Sequence, residues 1–191
     1  MVRTGLIVSI SILCYNCSLG QKMKVDYEGF SSEIRNRAVK EIPSNYHFNG
    51  YFKAINQYGD TLNWYFFNDG TFYSYGHKSP TKDNCPIIEP YCTEVPYGWG
   101  FFKISEKSEV YVEYIWPHLK GLKFPVSKMY GYLQSDSTIV ITKRFDPNMR
   151  EMEELNWQLN LIPCENMPSS ENMVKKGLKN YLENKEISNS K

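Results

Sequence analysis

Residues 62–77 read Leu62-Asn63-Trp64-Tyr65-Phe66-Phe67-Asn68-Asp69-Gly70-Thr71-Phe72-Tyr73-Ser74-Tyr75-Gly76-His77. Two aromatic-rich runs flank Asn68-Asp69-Gly70. Aromatic side chains suit a pleated, half-buried surface. Asn and Asp tolerate a tight turn, and Gly supplies the positive φ that the turn needs. The stretch therefore predicts a β-hairpin of strands 62–67 and 71–77, with Leu62, Trp64 and Phe66 on one face.

The same grammar extends in both directions. Strands are expected at 48–56, 98–105, 109–116, 124–134, 137–145 and 155–162, parted by Gln57-Tyr58-Gly59-Asp60, Glu106-Lys107-Ser108 and Ser135-Asp136-Ser137. The cleanest alternation puts Leu155, Trp157, Leu159 and Leu161 on one face and Asn156, Gln158 and Asn160 on the other. Val110, Val112, Tyr114 and Trp116 share a face in the same way. Asp146-Pro147-Asn148 breaks a strand, and Glu151, Glu153 and Glu154 then read as a solvated turn. Residues 78–97 carry Pro80, Pro86, Pro90 and Pro96, and are expected to form a long loop because Pro lacks the ladder N–H.

Eight strands joined mostly by short links predict a mainly β protein, an antiparallel up-and-down barrel whose closure removes sheet edges. A short helix over 31–42, capped by Ser31 or Ser32 and stopped by Pro43, precedes it. An amphipathic helix over 169–183, capped by Ser169 or Ser170, follows. Its apolar rows are Val174/Leu178/Leu182 and Met173/Gly177/Tyr181, which suit packing on the outside of the barrel wall. The expected organisation is a signal peptide at 1–20, an N-terminal helical segment at 21–45, the barrel with its C-terminal helix at 46–183, and a flexible tail at 184–191.

The signal-peptide reading rests on Arg3, the apolar run 5–15, and Ser18-Leu19-Gly20 as a small-residue cleavage site before Gln21. The run is too short to span a bilayer, so no transmembrane segment is expected. Neither Cys14 nor Cys17 follows a small residue, so export to the periplasm or the outside is expected in preference to a lipid-anchored form. The 191 residues carry 22 Lys+Arg and 21 Asp+Glu. That balance offers no electrostatic pull toward nucleic acid.

Outside the signal lie Cys85, Cys92 and Cys164. The first two share one short loop, so a Cys85–Cys92 disulfide is expected, with Cys164 free. Closing so short a loop is worth about 2.5 kcal/mol of chain entropy. His47, His77 and His118 are isolated, so no metal site is expected. No nucleophile elbow, phosphate loop or fixed carboxylate pair is present, and neither catalytic residues nor a cofactor are assigned.

The element order resembles that of the small, secreted lipocalin-like proteins found in Bacteroidota. Gly50-Tyr51-Phe52 stands where the family's first strand carries Gly-x-Trp, with Phe in place of Trp. The resemblance implies a lipocalin-like barrel.

Two functions are expected of such a barrel. One is a non-enzymatic binding protein that holds a small apolar ligand in the lumen, lined by Trp64, Tyr65, Phe66, Tyr73 and Tyr75. The other is a cell-envelope interaction or structural protein. There the same aromatics pack the barrel shut, and the 78–97 loop or an aromatic surface patch meets a partner.

Overall fold

A computed structural model of the chain describes residues 24–39, 46–55, 59, 61–75, 81–82, 85–116, 123–147 and 149–189. The signal segment, its cleavage site and Pro43 lie outside the described residues.

In chain order the elements are β1 (Lys24–Val25), α1 (Ser32–Val39), β2 (Gly50–Ile55), β3 (Thr61–Phe66), β4 (Thr71–Tyr75), β5 (Thr81–Lys82), β6 (Cys85–Pro86), α2 (Pro90–Thr93), β7 (Trp99–Ile104), β8 (Glu109–Ile115), β9 (Lys123–Phe124), β10 (Val126–Ser135), β11 (Thr138–Asp146), β12 (Glu151–Pro163) and α3 (Met173–Asn189). Eight of the strands, β2, β3, β4, β7, β8, β10, β11 and β12, close into an antiparallel barrel in which each pairs with its neighbours in sequence. Closure is made by β12 on β2, where Leu161 faces Phe52 and Pro163 faces Gly50. A Cβ at Gly50 would lie 2.1 Å from the Ile162 carbonyl oxygen, so the close approach of the last strand at this position requires a glycine. At the β3–β4 turn Gly70 has φ 82, the left-handed conformation that the hairpin requires. The architecture is compatible with a lipocalin-like fold, as expected.

Strand alternation sorts the apolar residues into two cores. The inner one fills the barrel with Phe52, Trp64, Phe66, Phe72, Phe102, Val112, Met129, Ile139, Ile141, Trp157 and Leu159. The outer one lies between the wall and the helices, and holds Phe30, Ile34, Tyr65, Tyr73, Trp99, Phe101, Ile115, Val174 and Leu178. Helix α1 rests on α3 and on β7. Val174 and Leu178 are fully buried in the outer core, which is the packing that the apolar rows predict.

Four local expectations differ from the structure. Strand β12 begins at Glu151, so the acidic group is strand and not turn. Cross-strand cations hold it: Lys143 Nζ lies 3.1 Å from Glu154, and Arg144 Nε donates to Glu153 at 3.1 Å. The 78–97 segment is not all loop, since β5 pairs with β6 and α2 follows. Helix α3 is capped by Asn172, whose Oδ1 accepts from Val174 N and Lys175 N at 2.9 Å each, rather than by Ser169 or Ser170. The helix also continues past 183 to Asn189.

Candidate functional site

The barrel interior is filled by side chains. Of the five residues expected to line a lumen, Trp64 and Phe66 point inward, whereas Tyr65 and Tyr73 point outward into the helix-covered core. Consecutive strand residues face opposite sides of a sheet, so Tyr65 cannot share a surface with its neighbours Trp64 and Phe66. Tyr75 pairs with Asn63 in the β3–β4 ladder, and its side chain lies outside the described residues. Inside, the rings meet one another: Phe66 lies 4.9 Å from Phe102 and 5.2 Å from Phe72, and Trp64 lies 5.4 Å from Phe72 and 6.0 Å from Trp157, ring centroid to centroid. Phe52, Phe66, Phe72, Met129, Ile139, Ile141 and Leu159 are each 0% exposed. At the end of the barrel where β11 turns into β12, Arg144 stacks over Trp116 at 4.8 Å and Trp157 at 5.6 Å while paired with Glu153. Burial pushes the nearby Tyr114 phenol up to about 12, with Arg144 opposing the shift.

The cysteine assignment is corrected. Cys85 bonds to Cys164, 79 residues away, with 5.3 Å between their Cα atoms, and Cys92 is the free, buried thiol. Strand β12 ends beside the start of β2, where Cys164 N donates to Asn49 O at 3.1 Å, and this places Cys164 in the outer core with Cys85. Cys92 is held apart by its own backbone, whose carbonyl accepts from Trp99 Nε1 at 2.7 Å. The bridge ties the 78–97 segment to the end of the barrel.

Outside the barrel, aromatic and polar side chains converge on one surface. A groove of about 630 Å³ lies between the start of α1 and the wall formed by β7, β8, β10 and β11. The wall supplies Lys103 and Ser105, Glu109 and Tyr111, Tyr130 and Gly131, and Thr142 and Lys143, while the helix end supplies Ser31 and Glu33. Tyr111 and Tyr130 form its aromatic floor, with ring centroids 5.0 Å apart. Two ladders beside the floor are irregular. The β10–β11 register shifts between Tyr130 and Gly131, and the β11–β12 register shifts between Ile141 and Lys143. A bulge re-aims the side chains beside it, and bulges are frequent at functional surfaces. Thr142 Oγ1 donates to the Tyr130 carbonyl at 3.2 Å and holds the distorted backbone.

Under the groove sits a carboxylate with no exposure. Glu113 accepts from Ser31 N at 2.7 Å and from the Tyr111 hydroxyl, and Lys128 Nζ lies 3.2 Å away. Ser31 is also the cap of α1, its Oγ accepting from Ile34 N at 3.3 Å. A negative charge at a helix N-terminus is favourable, so Glu113 fastens α1 to the wall and orients the Tyr111 ring. Burial first, and then Glu113, hold the Tyr111 phenol far above its ordinary range, so it remains a donor. Lys103 pairs with Glu33 and stands 5.3 Å over the Tyr111 ring.

None of the groove residues was expected from sequence to form a site; Ser31 was expected as a helix cap and Val110 as an inward strand residue. Tyr111, Glu113 and Tyr130 are unremarkable there because outward positions of a strand are ordinarily polar or amphipathic. The usable signal was Glu113 itself, an acidic residue between Val112 and Tyr114.

Fold and surface together define a closed eight-stranded antiparallel barrel with an aromatic-rich interior and, on its outer wall, a groove with an aromatic floor and polar side chains around it. Compared with known proteins, the chain matches no family model, no curated protein and no solved structure.

Proposed function

We propose that this is an exported, non-enzymatic binding protein in which the barrel is a scaffold and the recognition surface is the outer-wall groove over Tyr111 and Tyr130. The observation that carries this reading is the occupied interior. Inward side chains with no exposure, and rings in mutual contact, stand where a lumen ligand would have to go. The groove's volume falls within the range of about 300–1,000 Å³ usual for small-ligand sites. Export is supported by the Cys85–Cys164 disulfide, since such bonds persist in oxidising compartments. No described helix is long and apolar enough to cross a membrane.

The competing reading, an apolar ligand held inside, makes a different prediction. A ligand inside would shift the methyl resonance of Met129, which is buried in the inner core, whereas on the scaffold reading that resonance should stay unchanged when an apolar probe such as 1-dodecanol is added. A fractionated cell-envelope extract should instead shift the amide resonances of Gly131 and Thr142. A saturable shift at Met129 would overturn the scaffold reading.

A further inference from the structure

We propose that the outer-wall groove binds an uncharged, polyhydroxylated ligand, a short oligosaccharide segment, with Tyr130 as its stacking surface. The proposal rests on reading the groove as the recognition surface, and adds the chemistry of what it takes.

Charge decides first. The lining holds two lysines, Lys103 and Lys143, against two glutamates, Glu33 and Glu109. Lys103 is already paired with Glu33, and Lys143 with Glu154. The lining's own lysines and glutamates are equal in number, so no strong field favours an anion or a cation. Polarity decides second. Hydroxyl, ammonium and carboxylate groups surround the floor, which disfavours a purely apolar occupant because those groups would be desolvated without partners. Lysine has three donors and each carboxylate several acceptor sites, so both retain capacity beyond their mutual contacts. A sugar ring meets these conditions. Its hydroxyls both donate and accept, and its C–H faces pack on the negative face of an aromatic ring.

The floor is built for stacking rather than for sealing a core. Tyr130 is half-buried on the outer wall, and Tyr132, on the same strand and 44% exposed, extends the aromatic surface beyond the groove. Tyr111 is fixed from below by Glu113, so the floor is ordered before a ligand arrives.

The test is an NMR titration of the intact protein with maltotriose, cellotriose and tri-N-acetylchitotriose, each to roughly 10 mM, a range that captures millimolar dissociation constants. At least one should shift the resonances of Tyr130, Gly131 and Thr142 saturably. Tyr130→Ala should weaken that binding by at least about tenfold and Tyr130→Phe by less than about twofold, tenfold being 1.4 kcal/mol. If Tyr130→Ala melts too low for the assay, Tyr130→Leu replaces it. Groove shifts from inorganic phosphate or a lysine-rich peptide, with none from the saccharides, would overturn the saccharide assignment and leave the groove as the recognition surface. If the saccharides, phosphate and the peptide all leave the groove unshifted while 1-dodecanol moves Met129, both readings fall.

Discussion

Lys175 Nζ lies 3.0 Å from Asp69 Oδ2, which joins the first turn of the C-terminal helix to the tip of the β3–β4 hairpin more than a hundred residues earlier. Ser170 Oγ donates to the same oxygen at 2.7 Å, and Thr71 N donates to Oδ1 at 3.0 Å. Burial pushes the Asp69 carboxyl up, but the hydrogen bonds from Ser170, Thr71 and Lys175 outweigh it and hold the group below its ordinary value. A depressed carboxyl contributes stability above its unfolded pKa, and that stability is lost as pH falls through the folded value. Asp69→Asn should therefore cost about 1–2 kcal/mol at pH 7. The difference from wild type should shrink below about pH 4, where an unfolded Asp protonates. Urea denaturation at pH 7 and pH 3 measures both; an equal cost at the two values would refute the role of the charge.

The disulfide closes a loop ten times longer than the one expected from sequence. By chain entropy a loop of this length is worth about 4.5 kcal/mol. Cys164→Ser should lower stability by roughly 2–5 kcal/mol. Non-reducing peptide mapping should find Cys85 joined to Cys164, with Cys92 alkylated only after denaturation. A Cys85–Cys92 peptide would contradict the fold around β12.

Leu178 is fully buried between α3 and the barrel wall. Leu178→Ala should cost roughly 2–5 kcal/mol, the usual range for a core cavity. Its neighbour Gly177 behaves differently, because a Cβ there would meet the Tyr27 hydroxyl at 1.8 Å. Tyr27 stacks on Tyr181 at 5.8 Å and would have to leave that contact. Gly177→Ala should destabilise the native protein but stabilise a Tyr27→Ala variant, by up to about 1 kcal/mol, through helix propensity. A double-mutant cycle by thermal melting reads the change of sign.

Glu113→Ala leaves Lys128, Ser31 N and the Tyr111 hydroxyl without their shared acceptor. The expected cost is roughly 3–5 kcal/mol, as for a broken buried pair. Hydrogen exchange should rise first in α1, which loses its anchor, while the amides of β3 and β4 remain protected. Uniform loss of protection would mean that Glu113 supports the barrel as a whole.

High pH should expose the buried phenols. Tyr114 is pushed up to about 12 and Tyr111 is raised further, so both bind their protons more tightly in the folded than in the unfolded chain. Their contribution is intact below about pH 10, where an unfolded Tyr ionises, and declines as pH rises through the folded values. Stability should fall between pH 10 and 12, and less steeply for Tyr114→Phe. Parallel slopes would refute the assignment to Tyr114.

Much of the architecture was legible in the chain itself. Alternation at 62–66, 110–116 and 155–161, with turn residues between, marks strands whose inward faces have to meet. Short links leave sequential antiparallel pairing as the way to bring them together, and the amphipathic rows at 173–182 call for a wall to cover them. All of these are signals of neighbouring residues, where period and turn chemistry act within a few peptide bonds. The strand start at Glu151 was hidden because its support comes from Lys143 and Arg144 across the hairpin.

Tertiary structure alone decided the rest. Cys164 reaches Cys85 because barrel closure sets the end of β12 against the start of β2, a contact between segments far apart in the chain. Tyr65 and Tyr73 joined the outer core because strand period divides a continuous aromatic run between two faces. The groove draws on α1 and four strands, and its shape depends on two register shifts that follow from how neighbouring strands pair. Local patterns state which faces must be buried; the pairing of distant segments determines what they are buried against, and what is left on the outside to bind.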